Sequence, residues 1–250
     1  MLKSELYQGD CLDLMPNIPS GSIDMILADP PYGTTACKWD SIIPLDRMWE
    51  QLKRIIKHNG AIVLFAQTPF DKVLGASNLP MSRYEWIWEK GNATGFLNAH
   101  RAPLKAHENI LVFYSKEPTY NPQKTKGHQR KVAKRHSQKS ECYNKNFKTS
   151  EYDSTERYPR SVLKFSSDKQ LGNYHPTQKP VKLMKYLTKT YTKPGETVLD
   201  FCMGGGTTGV ACRDLDRDFI GMELDPVHFK TSKDRIYKME APKPSVTLFD

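Results

Sequence analysis

Near its carboxyl-terminal end the chain reads ETVLDFCMGGGTTGVACRDLDRDFIGMELD, Glu196 to Asp225, and no other stretch restricts the fold as much. Thr197 to Phe201 has the length and composition of a short buried strand. Gly204, Gly206 and Gly209 then satisfy G-x-G-x-x-G, a turn that lets a nucleotide approach the backbone where a helix begins. Glu223 closes the next strand, FIGMEL, where its two oxygens can accept from ribose hydroxyls. Either feature alone is also what a tight turn and a surface acid look like. Together they predict a nucleoside-containing cofactor at the carboxyl ends of adjacent strands. After Gly209 only 41 residues remain, Val210 to Asp250, so the amino-terminal region must complete the sheet. This permuted order argues against a nicotinamide-dependent oxidoreductase, whose glycine turn follows the first strand of its half.

The amino-terminal half supplies the missing pieces. Ser22 to Ala28 reads as a buried strand, because Ile23, Met25, Ile26 and Leu27 are too few for a helix. Leu45 to Lys57 has helical spacing, Asn59-Gly60 interrupts it, and AIVLFA follows as a second strand. Tyr84 to Trp88 and Asn109 to Tyr114 are further strands, and the stretch between them, EKGNATGFLNAHRAPLKAH, reads as loop. The first strand ends in Asp29-Pro30-Pro31-Tyr32. Asp29 offers carboxylate oxygens, while the prolines stiffen the turn and contribute no N–H. Such an acceptor-rich cup suits a neutral exocyclic amine, and Tyr32 adds a flat face for a heterocycle. A proline turn holding a buried tyrosine is the bland alternative.

Composition bears on the middle of the chain. Of a formal charge of +9, most sits between Lys116 and Gln170, where 14 Lys or Arg face 6 Asp or Glu. A solvated basic face would look the same, but Tyr120, Tyr143, Phe147, Tyr152 and Tyr158 interleave with the charges and favour nucleic acid. With low hydrophobicity and no clear period, this segment is expected to be an irregular insertion whose order depends on a partner. The expected division is residues 1–115, a basic insertion at 116–170, and 171–250 returning to the same α/β domain. The last part opens with Thr177 as a cap and Pro180 in the first turn of a helix buried through Val181, Met184, Leu187 and Tyr191. Five cysteines, Cys11, Cys37, Cys142, Cys202 and Cys212, without a C-x-x-C pair disfavour disulfides and a zinc site. No apolar run approaches the roughly 20 residues that span a bilayer, so no membrane partner is expected.

GDCLDLM, ADPPYG, HPTQKPVKL and DFCMGGGTTG, in that order, resemble the S-adenosylmethionine-dependent amino-methyltransferases that modify adenine, less often cytosine, in DNA. The group in question places its D-P-P-Y half first, and the resemblance spans almost the whole chain. It implies a Rossmann-like methyltransferase fold, an α/β architecture with a mostly parallel, doubly wound sheet in circularly permuted order. Asp29, Pro30, Pro31 and Tyr32 would be catalytic. Asp10 would contact the cofactor's adenine, and His175, Thr177, Gln178 and Lys179 would border its methionine end. Asp200, Phe201, Gly204, Gly206, Thr207, Thr208 and Glu223 would line the rest of the S-adenosylmethionine pocket. Double-stranded DNA is the implied partner, with a homodimer and a cognate restriction enzyme, in bacterial or phage-infected cytoplasm and without metal. The family often has Asp-Pro-Phe where this chain has Asp200-Phe201-Cys202, which turns the aromatic toward the other face of the strand.

An aromatic amine is a weak nucleophile because its lone pair is conjugated into the ring. Acceptors at Asp29 and the Pro30 carbonyl would stabilise the positive charge that develops on nitrogen as it attacks the sulfonium methyl. Cys37 is incidental to such chemistry. The expectation is adenine in DNA, with cytosine as the alternative and a non-catalytic nucleic-acid-binding module with a relic pocket as the reading from another class.

Overall fold

The computed structural model describes residues 3–34, 41–135, 150–166 and 178–237. The chain divides into two compact units, one of residues 1–121 and 161–250 and the other of Pro122–Arg160.

In chain order the strands are β1 (Ser4–Gln8), β2 (Ile23–Ala28), β3 (Ile56–Ala66), β4 (Ser82–Thr94), β5 (Lys105–Phe113), β6 (Lys131–Arg135), β7 (Ser150–Ser154), β8 (Val162–Phe165), β9 (Thr197–Asp200) and β10 (Asp218–Glu223). The helices are α1 (Cys11–Leu14), α2 (Leu45–Ile55), α3 (Phe70–Ala76), α4 (Val181–Tyr191), α5 (Thr207–Arg213) and α6 (Pro226–Tyr237). None of these helices is long and apolar enough to cross a membrane.

The larger unit carries one eight-stranded sheet in the order β1-β10-β9-β2-β3-β5-β4-β8. Its pairs are parallel except β3 with β5 and β5 with β4, so β5 alone runs against the rest. This is the mostly parallel, doubly wound α/β sheet expected, with the permutation visible in one pairing. Strand β1, from the extreme amino-terminal region, lies parallel beside β10 with Leu6 opposite Gly221, and so completes the cofactor half.

Alternation along the strands feeds two cores. Ile26, Ala28, Ile62 and Leu64 face α1, α2 and α3, where Leu12, Met48, Trp49, Leu52, Phe70 and Leu74 cover them. Met25, Leu27, Val63 and Phe65 face α4, α5 and α6, where Leu183, Met184, Leu187, Ala211 and Ile236 cover them. A sheet covered on both faces needs near-continuous apolar strands, as IDMILA and AIVLFA provide.

Several boundaries differ from the sequence reading. Strand β4 runs on to Thr94 and β5 begins at Lys105, so much of the supposed loop is a long hairpin. Its far half is exposed on both sides, and apolar alternation disappears there although backbone pairing continues. Val162–Phe165, placed within the irregular segment by composition, forms β8 on the edge of the main sheet. Leu163 is buried there and the Phe165 carbonyl accepts from Trp88 Nε1 at 2.9 Å. In α4 Leu183 is buried whereas Val181 is only half-buried, and the cap expected at Thr177 lies outside the described residues.

In the smaller unit β6 and β7 pair antiparallel, with Lys131 opposite Ser154. Arg130 grips Asp153 in a two-pronged pair at 2.7 and 2.6 Å, and Arg157 donates to the carbonyls of Gln129, Ser154 and Glu156. Residues 136–149, with Cys142, Tyr143 and Phe147, lie outside the described set.

Candidate active site

Strands β2 and β9 are neighbours, with Met25 opposite Val198 and Ile26 opposite Leu199. The two loops that leave their carboxyl ends, one from each end of the chain, therefore start side by side. On the β9 side the sheet continues into β10 and β1, and on the β2 side into β3, which makes this the reversal point where open α/β sheets hold ligands.

The glycine turn is built by strain relief and close packing. Gly204 and Gly206 have φ of +50° and +74°, a region that a side chain would strain, and Gly206 heads α5. A Cβ on Gly209 would stand 2.4 Å from Ile236 Cδ1 and 2.7 Å from Phe219 Cε1, so the glycine lets α5 lie against α6 and the sheet. The backbone N–H of Gly204 donates to Glu223 Oε2 at 2.8 Å, and Asp225 N–H donates to Oε1 at 2.9 Å. Glu223 thus holds the turn and keeps one lone pair on each oxygen for a ligand. Beside it, Gly9 N–H donates to the Glu223 carbonyl, and Asp10 caps α1 by accepting from Leu12 N–H at 2.8 Å. Asp10 is exposed on this same edge.

Asp200 is buried, accepting from Thr208 Oγ1 at 2.5 Å and from Cys202 N–H at 3.2 Å. Burial pushes its carboxyl up to about 7, with nearby Asp29 and Glu223 adding to the rise. Thr207 and Thr208 are also buried, and Thr208 serves Asp200 rather than an open surface. Phe201 is 2% exposed and belongs to the core on the α1–α3 side. Met203 packs into the opposite core, and Cys202 stays partly open. Burial and the Asp200 carboxylate hold the Cys202 thiol well above its usual range, so it remains protonated.

On the β2 side Pro30 is buried and Asp29 keeps 24% of its side-chain exposure. Tyr32 Oη–H donates to Asp29 Oδ1, and Lys179 Nζ donates to Asp29 Oδ2 at 2.5 Å. To the acceptor-rich cup read from the sequence the structure adds one cation, a lysine that arrives from 150 positions away. Each Asp29 oxygen retains one lone pair beyond these bonds. The Tyr32 ring stacks on Phe70, with centroids 5.5 Å apart and planes at 26°. Burial and the carboxylates of Asp29 and Glu108 keep its phenol protonated. Asp29 itself is raised by burial, against which Lys179 acts to lower it.

Lys179, expected at the methionine end of a cofactor, has its ammonium between Asp29 and Glu108. Neighbouring Gln178 is buried with its Oε1 unpaired among the described residues. His175 and Thr177 lie outside the described residues, as does Cys37. Glu108 and Lys90 carried no signal in the sequence, being ordinary charges on strands that polar alternation hid.

Asp10, Asp29 and Glu223 therefore offer carboxylate oxygens along one sheet edge, with buried Asp200 behind them. That set suits a ligand with an amino group, ribose hydroxyls and a sulfonium cation. It would repel a pyrophosphate.

The family model described as DNA methylase matches residues 23–234. M.HinfI, a type II methyltransferase of Haemophilus influenzae, is 25% identical over 96% of this chain and 70% of its own length. The crystal structure of the M1.HpyAVI-SAM complex superposes with a TM-score of 0.64 at 24% identity, over 94% of this chain and 100% of that one. PvuII DNA methyltransferase, described as cytosine-N4-specific, has a TM-score of 0.71 at 16% identity, over 95% of this chain and 88% of its own. At such identities the two structures establish the shared fold.

Proposed function

The chain belongs to the DNA methylase family, and from that premise we propose that it transfers a methyl group from S-adenosylmethionine to the exocyclic amine of an adenine at a specific site in double-stranded DNA. The observation that carries this reading is the Asp29 carboxyl, paired with Lys179 at the end of β2, beside the glycine turn at the end of β9. Asp10, Asp200, Glu223 and the turn at Gly204 and Gly206 would hold the cofactor, with Gln178 at its border. When bound, S-adenosylmethionine supplies an electrophilic methyl on a sulfonium.

The protein's own part is to position and polarise. Asp29 and the Pro30 carbonyl accept the two N–H bonds of the amine, which turns the nitrogen lone pair out of conjugation and toward the methyl. Positive charge that would develop on the amine nitrogen as it takes up the methyl would lie beside the Asp29 carboxyl, which would stabilise it. The surplus amine proton leaves through that carboxylate to solvent. Among the described residues, Cys202 and Cys11 are both held protonated, Cys11 by burial first and with its thiol pushed up to about 12, so neither offers a thiolate.

The target amine is paired inside the duplex, so the nucleotide must rotate out of the stack at a cost of a few kcal/mol. The basic unit, Pro122–Arg160, has 11 Lys or Arg against 4 Asp or Glu and would offset that cost through phosphate contacts. Cytosine N4 is the second reading, because its amine presents the same two donors to Asp29 and Pro30. Incubation with labelled S-adenosylmethionine and unmethylated genomic DNA, followed by nucleoside digestion, separates N6-methyladenine from N4-methylcytosine. Neither product means the functional reading is wrong. Sequencing the modified sites gives the recognition sequence, and sedimentation tests the homodimer that the resemblance implies. Resistance of that DNA to a nuclease of the same specificity would test for a restriction partner.

A further inference from the structure

Four alternating charges run from the interior of the sheet to the reacting carboxylate. Lys90 on β4 reaches Glu108 Oε1 on β5 at 2.5 Å, Glu108 Oε2 lies 3.1 Å from Lys179 Nζ, and Lys179 reaches Asp29 Oδ2 at 2.5 Å. All but the last are nearly closed to solvent, with side-chain exposures of 12% for Lys90, 11% for Glu108 and 7% for Lys179. The ammonium of Lys179 also lies 5.1 Å from the centre of the Phe65 ring and 5.9 Å from that of Tyr32. Resting on the methyltransferase reading above, we propose that Lys179 is the positioning residue that keeps Asp29 ionised and aimed, and that Glu108 and Lys90 anchor it from behind.

Asp29 faces groups from several elements. Tyr32 comes from its own loop, Glu108 from β5, Asp200 and Cys202 from β9 and the turn after it, and Lys179 from the segment before α4. Among these described groups Lys179 is the cation, whereas Glu108 and Asp200 are carboxyls. Burial next to other carboxyls favours a neutral, protonated acid, which would present an O–H where the amine needs an acceptor. A fixed ammonium acts against that preference. It also occupies one lone pair of Oδ2 while Tyr32 occupies one of Oδ1, so the plane of the carboxylate is set before a base arrives. Asp29 is the first counter-charge that keeps Lys179 an ammonium in the interior, and Glu108 adds to it. Lys90 then balances Glu108, leaving the chain of four neutral overall. Lys179 touches the catalytic carboxylate rather than the reacting atoms.

Two neutralising variants separate this role from a structural one, because they displace the ionisation of Asp29 in opposite directions. The measurements are the pH profile of kcat/KM with labelled S-adenosylmethionine and unmethylated DNA, and cofactor affinity by equilibrium dialysis. Lys179→Gln should move the acid limb to higher pH by about one unit or more, with activity partly regained in alkali. Lys179→Arg should keep the wild-type limb, and Glu108→Gln should move it to lower pH. Cofactor affinity should change by no more than about twofold in all three. A uniform loss in Lys179→Gln at every pH, a shift to higher pH in Glu108→Gln, or loss of cofactor binding in step with activity would each overturn the proposal. The last result would make Lys179 a cofactor ligand instead. If Lys179→Gln does not fold, the Glu108→Gln limb alone decides. Carbon-13 titration of the aspartate carboxyls in the free protein, with Asp29→Asn to assign the signal, reads the same directions without substrate. It therefore tests the charge chain even if the wild type methylates nothing, an outcome that would count against the functional reading alone.

Discussion

Asp29 and Asp200 stand at neighbouring strand ends under the same pressure from burial, and they meet it differently. Among the described residues Asp29 has an ammonium against it, and Asp200 has only hydroxyl and amide donors. Asp29→Ala should lower kcat/KM by about a thousandfold or more while cofactor affinity stays nearly unchanged, since the acceptor acts on the amine. Dialysis against labelled cofactor beside the transfer assay checks this, and loss of cofactor binding would reassign the residue. Asp200 has a folded-state carboxyl near 7, raised from its ordinary range near 4. Unfolding then releases its proton at lower pH than the folded state does, so the unfolded form binds fewer protons across that interval and stability falls as pH climbs from about 4 to about 7. Thermal unfolding midpoints should decline over this window, and Asp200→Asn should flatten the decline. An unchanged slope in the variant would remove Asp200 as its source.

The glycine turn with α5 and the hairpin of β4 and β5 do opposite kinds of work. Between α5, α6 and β10 there is no room for a side chain at Gly209, so Gly209→Val should destabilise the protein by about 1–3 kcal/mol in a denaturant titration. A neutral result would mean that α6 shifts freely. The hairpin instead leaves the sheet at the edge that carries Asp29, because β4 runs with β2 and β3 and β5 returns. Its tip exposes Phe96 and Leu97 at 74% and 79%, next to exposed His100 and Arg101. Apolar side chains held out among basic ones at a reaction edge suit insertion beside unstacked bases. Phe96→Ser with Leu97→Ser should weaken duplex binding by roughly fivefold or more and leave the melting temperature and cofactor affinity unaltered.

At the scale of the molecule, the dominant quantity is charge. The basic unit holds much of the excess, and several of its cations already pair internally, as Arg130 does with Asp153 and Lys134 with Glu151. Lys131 and Lys126 remain exposed, the latter with only a long contact of 3.9 Å to Glu156. DNA affinity should fall at least about tenfold between roughly 50 and 200 mM salt. Lys126→Glu with Lys131→Glu should reduce the slope of log affinity against log salt by about two, measured by fluorescence anisotropy. An unchanged slope would place the phosphate contacts elsewhere.

The local signals that survived into the structure are those set by chain neighbours. Apolar runs too short for helices became β2, β3 and β9, Gly204 and Gly206 took the positive φ their turn requires, and Asp29 ended a strand beside stiffening prolines. The late glycine turn also required the amino-terminal chain to finish the sheet, as β1 does beside β10. What residue order alone could not supply was everything that depends on which strands meet. Only the pairing of β2 with β9 places Asp29 near Asp200, and only the return of the segment before α4 places Lys179 on Asp29 and Glu108. The physical reason is that a buried charge has no sequence period. Its cost is met by a partner far along the chain, and the partner becomes identifiable only once the backbone has closed around both.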